Sequence, residues 1–339
     1  MRHRGRSKLT RQRSGWYLWL GIGVSSLFLY LAMRNIHWEE FLAVLIKVDP
    51  LWLGLSILCS VGGYSFTTAR WQILLPLAAR LSFRDAFDMT MIGYLGGLAL
   101  PARLNDLGKA AWTGRYTGAG GSQVLGSVLL ERLLDVMMLL LLALCVSLTM
   151  TMPDVLRTGA VTLTCGLGLA MSIILYSTRH VEIQIKIINL LFTLMPAGYA
   201  QRLQGIVKGF FVGLESLWDG RRMALAAGWS LLGWSVGLMG IVCSLKAFHM
   251  STPWFAALLV MLTINLGALI PSSPSGIGVY HYLVVLALSV WLSDPSMALG
   301  YAVGTHALGA LLITLLGGIS LWRKRLSLFN NDNEHLEDT

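Results

Sequence analysis

LPARLNDLGKAAWTGRYTGAGGSQVLGSVLLERLLD, residues 100–135, is the stretch on which the reading of this chain turns. It interrupts an otherwise apolar sequence with charges of both signs. Arg103, Asp106 and Lys109 follow Pro101 at i, i+3, i+6 spacing, which places them along one side of a helix. Past a glycine-rich turn at 118–121, Glu131, Arg132 and Asp135 lie in a run, 124–150, that holds no other charge. At ~1.5 Å per residue a helix starting at Val124 carries Glu131 ~10 Å and Asp135 ~16 Å inward, the latter near the middle of a ~30 Å hydrocarbon core. An ionisable group there costs at least ~2.5–3.5 kcal/mol unless it is paired or hydrated. Arg132 and Asp135 can form a purely structural i, i+3 pair, and Glu131 and Arg132 can snorkel if the helix starts later. The recurrence of both charges in LPARLNDLGK favours a polar cavity.

Outward from this stretch, composition sets the class. Of 339 residues 55% are hydrophobic and only 13% charged, against about 25% charged in soluble domains. Mean hydropathy is +0.65. Apolar windows of membrane-spanning length recur along the chain, so the expected fold is all-α, a polytopic integral membrane helical bundle with no sizeable soluble domain. The net charge of +9 gathers at the ends and in 177–222. That pattern orients a membrane protein and attracts anionic lipid heads; it is not a nucleic-acid footprint. Cys59, Cys145, Cys165 and Cys243 each fall in an apolar segment without paired spacing, as packing residues do. There is no HExxH, Cys/His cluster, Walker loop or dinucleotide fingerprint, so no metal, no cofactor and no catalytic residue is predicted.

The chain divides into a basic cytoplasmic tail, 1–15, a transmembrane domain, 16–322, and a polar cytoplasmic tail, 323–339. Nine apolar segments are expected, at 16–33, 51–75, 83–100, 124–150, 155–176, 223–245, 254–270, 279–292 and 297–321. Residues 37–48 form a short amphipathic surface piece. Arg70 and Trp71 close the second segment as an interfacial anchor pair. Apolar residues at helical spacing over 203–218 suit an in-plane amphipathic cytoplasmic helix. Segment 83–100 holds Asp88 and three glycines and runs into Pro101, as a re-entrant or broken helix does. If it dips and returns, eight crossings remain and both termini are cytoplasmic.

A second break lies at PSSPSGIG, 271–278, where Pro271, Pro274, Gly276 and Gly278 prevent a continuous helix. Gly97-Leu-Ala-Leu-Pro101 resembles Gly267-Ala-Leu-Ile-Pro271, and Asn105 to Gly108 matches Ser275 to Gly278, at an offset of 170 residues. This points to an inverted repeat with two breaks at similar depth, flanking one cavity. Filling it with Gly276→Leu or Gly278→Leu is then expected to block the protein's activity with little loss of protein. His281 and His306 sit close to this break. Gly233-Trp-Ser-Val-Gly237 matches an esterase pattern but has no preceding strand, and like Gly93/Gly97 and Gly300/Gly304 it reads as a packing face.

The succession LPARLNDLGK, LLERLLD and PSSPSGIG resembles the flippase-like membrane domain of the lysylphosphatidylglycerol synthase transmembrane family, over roughly residues 16–322. Pro101, Arg103, Lys109, Glu131, Arg132 and Asp135 match the family pattern, with Asn105-Asp106 standing for Gly-Glu. Pro271, Pro274, Gly276, Ile277 and Gly278 match the second motif. Ser275 replaces a usual glycine and His281 a usual glutamate, and Thr305-His306 stands where relatives often carry an arginine. The resemblance implies a bacterial inner-membrane protein that translocates a lipid with an anionic, phosphate-bearing head. Arg103, Lys109 and Arg132 would attract the head, and Asp106, Glu131 and Asp135 would orient those cations or meet an amine. A membrane-embedded transferase acting on a lipid-linked sugar or aminoacyl group stays open, as does an ion-coupled small-solute transporter.

Overall fold

The computed structural model describes residues 21–149 except 35 and 100–103, isolated positions between 162 and 169, and 205–337 except 208 and 271, with side chains to 324. Pro101, Arg103 and Pro271, the fifth expected segment, most of the 177–222 loop and both chain ends lie outside the described residues. Among the described residues there is no β-strand. The helices are α1 (Gly21–Met33), α2 (Trp38–Ile46), α3 (Pro50–Leu74), α4 (Phe83–Ala99), α5 (Leu104–Thr117), α6 (Gly121–Thr149), α7 (Gly220–Ala247), α8 (Ala256–Gly267), α9 (Val279–Leu288) and α10 (Pro295–Glu337).

Local chemistry sets several boundaries. The carboxylate of Asp49 accepts the N–H groups of Leu51 and Trp52 at 2.8 and 3.2 Å, and Pro50 opens α3. Ser82 accepts the Asp85 N–H at 3.1 Å to start α4. Asp294 accepts the Ser296 N–H at 2.8 Å ahead of α10, again with Pro first. Between α5 and α6 the chain reverses through Gly118 and Gly120, at φ of 73° and 87°, where L side chains are strained. The turn starts α6 three residues earlier than expected, so Glu131 lies ~15 Å and Asp135 ~21 Å along it.

Three described helices are long and apolar enough to cross a membrane: Pro50–Leu74, Gly220–Ala247 and Pro295–Lys324. They are built inside out. Leu58, Met239, Leu315 and Ile319 are exposed, whereas Thr68, Arg70, Ser230 and Ser320 are buried. Outward apolar side chains and inward polar ones are what a lipid solvent selects, and the chain is a multi-pass membrane protein.

The expected spans at 254–270 and 279–292 are corrected. The α8 and α9 helices have 12 and 10 residues, ~18 and ~15 Å, about half of a hydrocarbon core. They pack along each other as a hairpin, with Gly267 closely against the Leu283 side chain. The segment at 83–99 is likewise followed by a shorter helix, α5. The order long helix, two shorter helices, long helix therefore occurs twice. Residues Pro50 and Gly220, Phe83 and Ala256, and Gly121 and Pro295 start corresponding helices 170, 173 and 174 residues apart. The half-chain offset read from two short motifs is a property of the helix order.

Two compact units are present, Met1–Ser60 with Met91–Asn105 and Gly237–Thr339, and Val61–Thr90 with Asp106–Val236. In the first, Val44, Leu245, Phe248, Val260, Val284, Leu288 and Tyr301 form one apolar core. Gly300 and Gly304 let α10 lie against Phe41, Val44 and Phe248. In the second, Trp71, Leu75, Met89, Val124 and Val128 form a core, flanked by Leu74, Leu130, Leu134 and Leu214. Where described, the 203–218 segment is part of this second core. A Cβ at Gly126 would meet Gly213 Cα at 2.7 Å, and the Ser216 hydroxyl donates to the Leu74 carbonyl at 3.1 Å.

Candidate functional site

The second unit brings five of the expected site residues together: Asp106 and Lys109 from α5, and Glu131, Arg132 and Asp135 from α6. The sixth member is Arg70 of α3. Its expected role as an interfacial anchor is overturned, because Arg70 is 3% and Trp71 0% exposed. The six form a chain of alternating charge. Lys109 Nζ lies 3.1 Å from Glu131 Oε2, and Glu131 Oε1 lies 3.2 Å from Arg70 Nη2. Arg70 Nη1 reaches Asp135 Oδ1 at 2.7 Å and also donates to the Ser230 hydroxyl at 3.3 Å. Asp135 Oδ2 lies 2.9 Å from Arg132 Nη1, and Arg132 grips Asp106 with Nε and Nη2 at 2.9 and 3.0 Å.

Three cations and three anions cancel, which is how so many ionisable groups are accommodated in an apolar solvent. Accessibility is graded along the chain. The side chains of Lys109, Glu131 and Arg70 are 5%, 2% and 4% exposed, whereas Asp106, Asp135 and Arg132 are 15%, 26% and 30% exposed. Burial at the inner end is completed by Trp71. The Lys109 ammonium sits 3.7 Å from the centre of its ring, and the indole N–H donates to Ser127 at 3.2 Å. Lys109, expected to attract a headgroup, is thus held inside the protein by Glu131. Arg132 is the cation of the cluster that solvent reaches most easily.

Arg70 was missed because an Arg-Trp pair near the end of an apolar run has the composition of an interfacial anchor. No charge count within 100–135 gives that arginine away, since the stretch holds Arg103, Lys109, Arg115 and Arg132 against Asp106, Glu131 and Asp135.

The first unit brings together Pro274, Gly276, Gly278, His281 and His306. The break after α8 passes through left-handed backbone at Ser275, Gly276 and Gly278, with φ of 63°, 69° and 89°. A Cβ at Gly278 would collide with the Ser25 carbonyl of α1, whereas at Gly276 it would meet nothing. Ser25 also accepts the Ser273 N–H at 2.8 Å. Ser275 sits 3.0 Å from His306 Nε2, and Gly278 N–H donates to His281 Nδ1 at 3.3 Å. The two imidazoles stack 4.9 Å apart at 12°. At Tyr280 and Thr305, the neighbours of the two histidines in the chain, a cavity of about 130 Å³ is lined by Ser56, Ser60, Ser244, Tyr280, Tyr301 and Thr305, by Gly240 and Gly309, and by apolar side chains of Ile57, Ile241, Val260, Ile264, Leu308 and Leu312.

Known proteins supply one comparison. The family described as Lysylphosphatidylglycerol synthase TM region matches over residues 18–317. No curated protein and no solved structure matches the chain. The matched span takes in every described helix up to α10, the six-residue ion chain and the His281–His306 break, and with it the chain belongs to the lysylphosphatidylglycerol synthase transmembrane-region family.

Proposed function

We propose that this protein moves a lipid with an anionic, phosphate-bearing head between the leaflets of a bacterial inner membrane, with both termini cytoplasmic. The observation that carries the reading is the graded ion chain, neutral as a whole and accessible at its Arg132 end. Arg132 holds Asp106 in a two-pronged grip, and a phosphate offers oxygens at the same spacing. A head that carries an amine beside its phosphate can therefore exchange with Asp106 without leaving any charge unpaired in the membrane, where an unpaired charge costs several kcal/mol or more. The freed carboxylate of Asp106, with Asp135, then suits an amine on the same head. Lys109, Glu131 and Arg70 stay behind as the buried frame that fixes Asp135.

The half-length hairpin α8–α9 bears on topology. A hairpin that enters and leaves on one face replaces two crossings, so the even number expected from the basic ends is kept. The family match supports a role with lipids, and the choice of transport over chemistry rests on the ion chain.

The test is transport of head-labelled lipids in liposomes reconstituted with the purified protein. Arg132→Gln should lower the rate at least tenfold while folded protein is retained, because the residue is partly exposed. Wild-type rates in Arg132→Gln would sink the proposal, as would failure of every phosphate-bearing lipid in the wild-type protein.

A further inference from the structure

The helix repeat allows residues of the two halves to be set side by side. Asp106 is the third residue of α5 and His281 the third of α9. Arg132 is the twelfth residue of α6 and His306 the twelfth of α10. Both pairs are in contact within their own unit, one as a two-pronged ion pair, the other as a ring stack. The correspondence extends further. Arg70, Glu131 and Asp135 hold the same helical positions as Gly240, Thr305 and Gly309, and these three line the 130 Å³ cavity. In the first unit, small side chains and hydroxyls stand where the second unit carries buried charges, and the cavity is the space left.

From this we propose that the His281–His306 stack is a one-proton binding site, supplied with water through the hydroxyl-lined cavity beside it. A histidine pair is what remains of an ion pair when both charged members are replaced by groups that are neutral until a proton arrives. Either ring can take a proton at an in-plane nitrogen, and the ring that receives it becomes the cation that Arg132 provides permanently. Two protons cannot enter together, since two charges about 5 Å apart in partly buried surroundings repel by the equivalent of about two or more pH units.

The acidic groups of α2, which packs on α10, are Glu39 and Glu40, and both are exposed. The elements packed on α9 are α1, α8 and α10, and residues 21–33, 256–267 and 295–321 contain no Asp, Glu, Lys or Arg. The titratable groups facing the pair and its cavity are Tyr280, whose ring lies 4.8 Å from that of His306, and Tyr301, with Tyr30 and Tyr282 on the packed helices. From α3 and α7 come Cys59, Cys243 and Lys246, the last over the Trp52 ring. His306 Nδ1 is buried without a hydrogen-bond partner, a position an incoming proton would satisfy. The cavity admits on the order of four waters at about 30 Å³ each.

If the function proposed above holds, lipid movement is proton-dependent, because the site of the first unit is cationic only when protonated. The experiment is a nitrogen-15 histidine titration of the full chain in nanodiscs, from about pH 8 to pH 4, with His3, His37, His180, His249 and His335 replaced by Gln. The expected result is one proton entering with both rings responding, and the second at least about two pH units lower. Two independent protonations within one pH unit would overturn the proposal, and so would uptake of no proton above about pH 4. His281→Asp with His306→Arg, which copies the charge types of the other unit, should leave a folded protein with no titration step and a flattened pH profile of transport. An unchanged pH profile in that variant would overturn the coupling. Absence of lipid transport by the wild-type protein would refute the function, and the ring titration would still decide the proton site.

Discussion

Replacing Arg70 by Met removes the middle of the ion chain while keeping much of the side-chain volume. The guanidinium contacts Asp135 at 2.7 Å, Glu131 at 3.2 Å and Ser230 at 3.3 Å, all within the second unit. Without it, two cations face three anions. Glu131, 2% exposed, keeps Lys109 but loses its second cation, and one negative charge becomes uncompensated. Breaking a buried pair by removing one partner costs roughly 3–5 kcal/mol. Asp135 is 26% exposed and can take up water, which places the loss toward the lower end. At roughly 2–4 °C per kcal/mol for chains of a couple of hundred residues, the melting temperature should fall by on the order of 10 °C. The assay is thermal unfolding of purified protein in one detergent, run as a cycle with Glu131→Gln. Neutralising Glu131 in the Arg70→Met background should recover part of the loss, a coupling of about 1 kcal/mol or more. A wild-type melting temperature in Arg70→Met, or single losses that simply add in the double variant, would refute the argument that Arg70 is the keystone of the chain.

Two further outcomes follow from the first unit. Gly276→Ala should cost only the conformational strain of left-handed backbone, about 1–2 kcal/mol, because its Cβ meets open space. Gly278→Ala should abolish most folded protein, because the Ser25 backbone of α1 occupies the place of the Cβ; equal yields of the two variants would show that α1 does not cover this turn. The expectation that Gly278→Leu would spare folding is corrected on the same ground. Asp294→Ala should weaken the start of α10 by roughly 0.5–2 kcal/mol. Partial burial pushes the Asp294 carboxyl up, but the hydrogen bonds from Ser296 and the nearby His37 outweigh this and hold it below the usual carboxylate range. Its folded value is depressed, so its contribution is present above about pH 4 and is lost as pH falls through the lower folded value. The gap in thermal stability between wild type and Asp294→Ala should be flat from pH 7 to 5 and narrow below that, and a gap that persists unchanged in acid would exclude the charged cap.

Composition, hydropathy and break residues are local properties, and what they govern was legible in the sequence. The apolar runs implied a helical membrane protein, and Pro101 and Pro271 marked two breaks half a chain apart. Charges of both signs in 100–135 announced a polar site, and five of its six described members could be named. Each of these inferences needs only spacing along one helix or the cost of putting a given side chain in hydrocarbon.

Tertiary structure decided what depends on partners distant in the chain. Arg70 meets Glu131 and Asp135 across 61 and 65 residues, and no local pattern separates such an arginine from an anchor at the headgroups. Lys109 and Arg132 looked equivalent in sequence, yet packing against Trp71 buried one and left the other within reach of solvent. Apolar composition could not show that α8 and α9 stop at half the width of a membrane, because turn residues such as Val290 and Leu292 are as apolar as the helices they end. The stacking of His281 on His306, 25 residues apart, likewise belongs to the packing of α9 on α10. Hydrocarbon selects residue types, but which charge meets which is settled only when helices far apart in the chain come together.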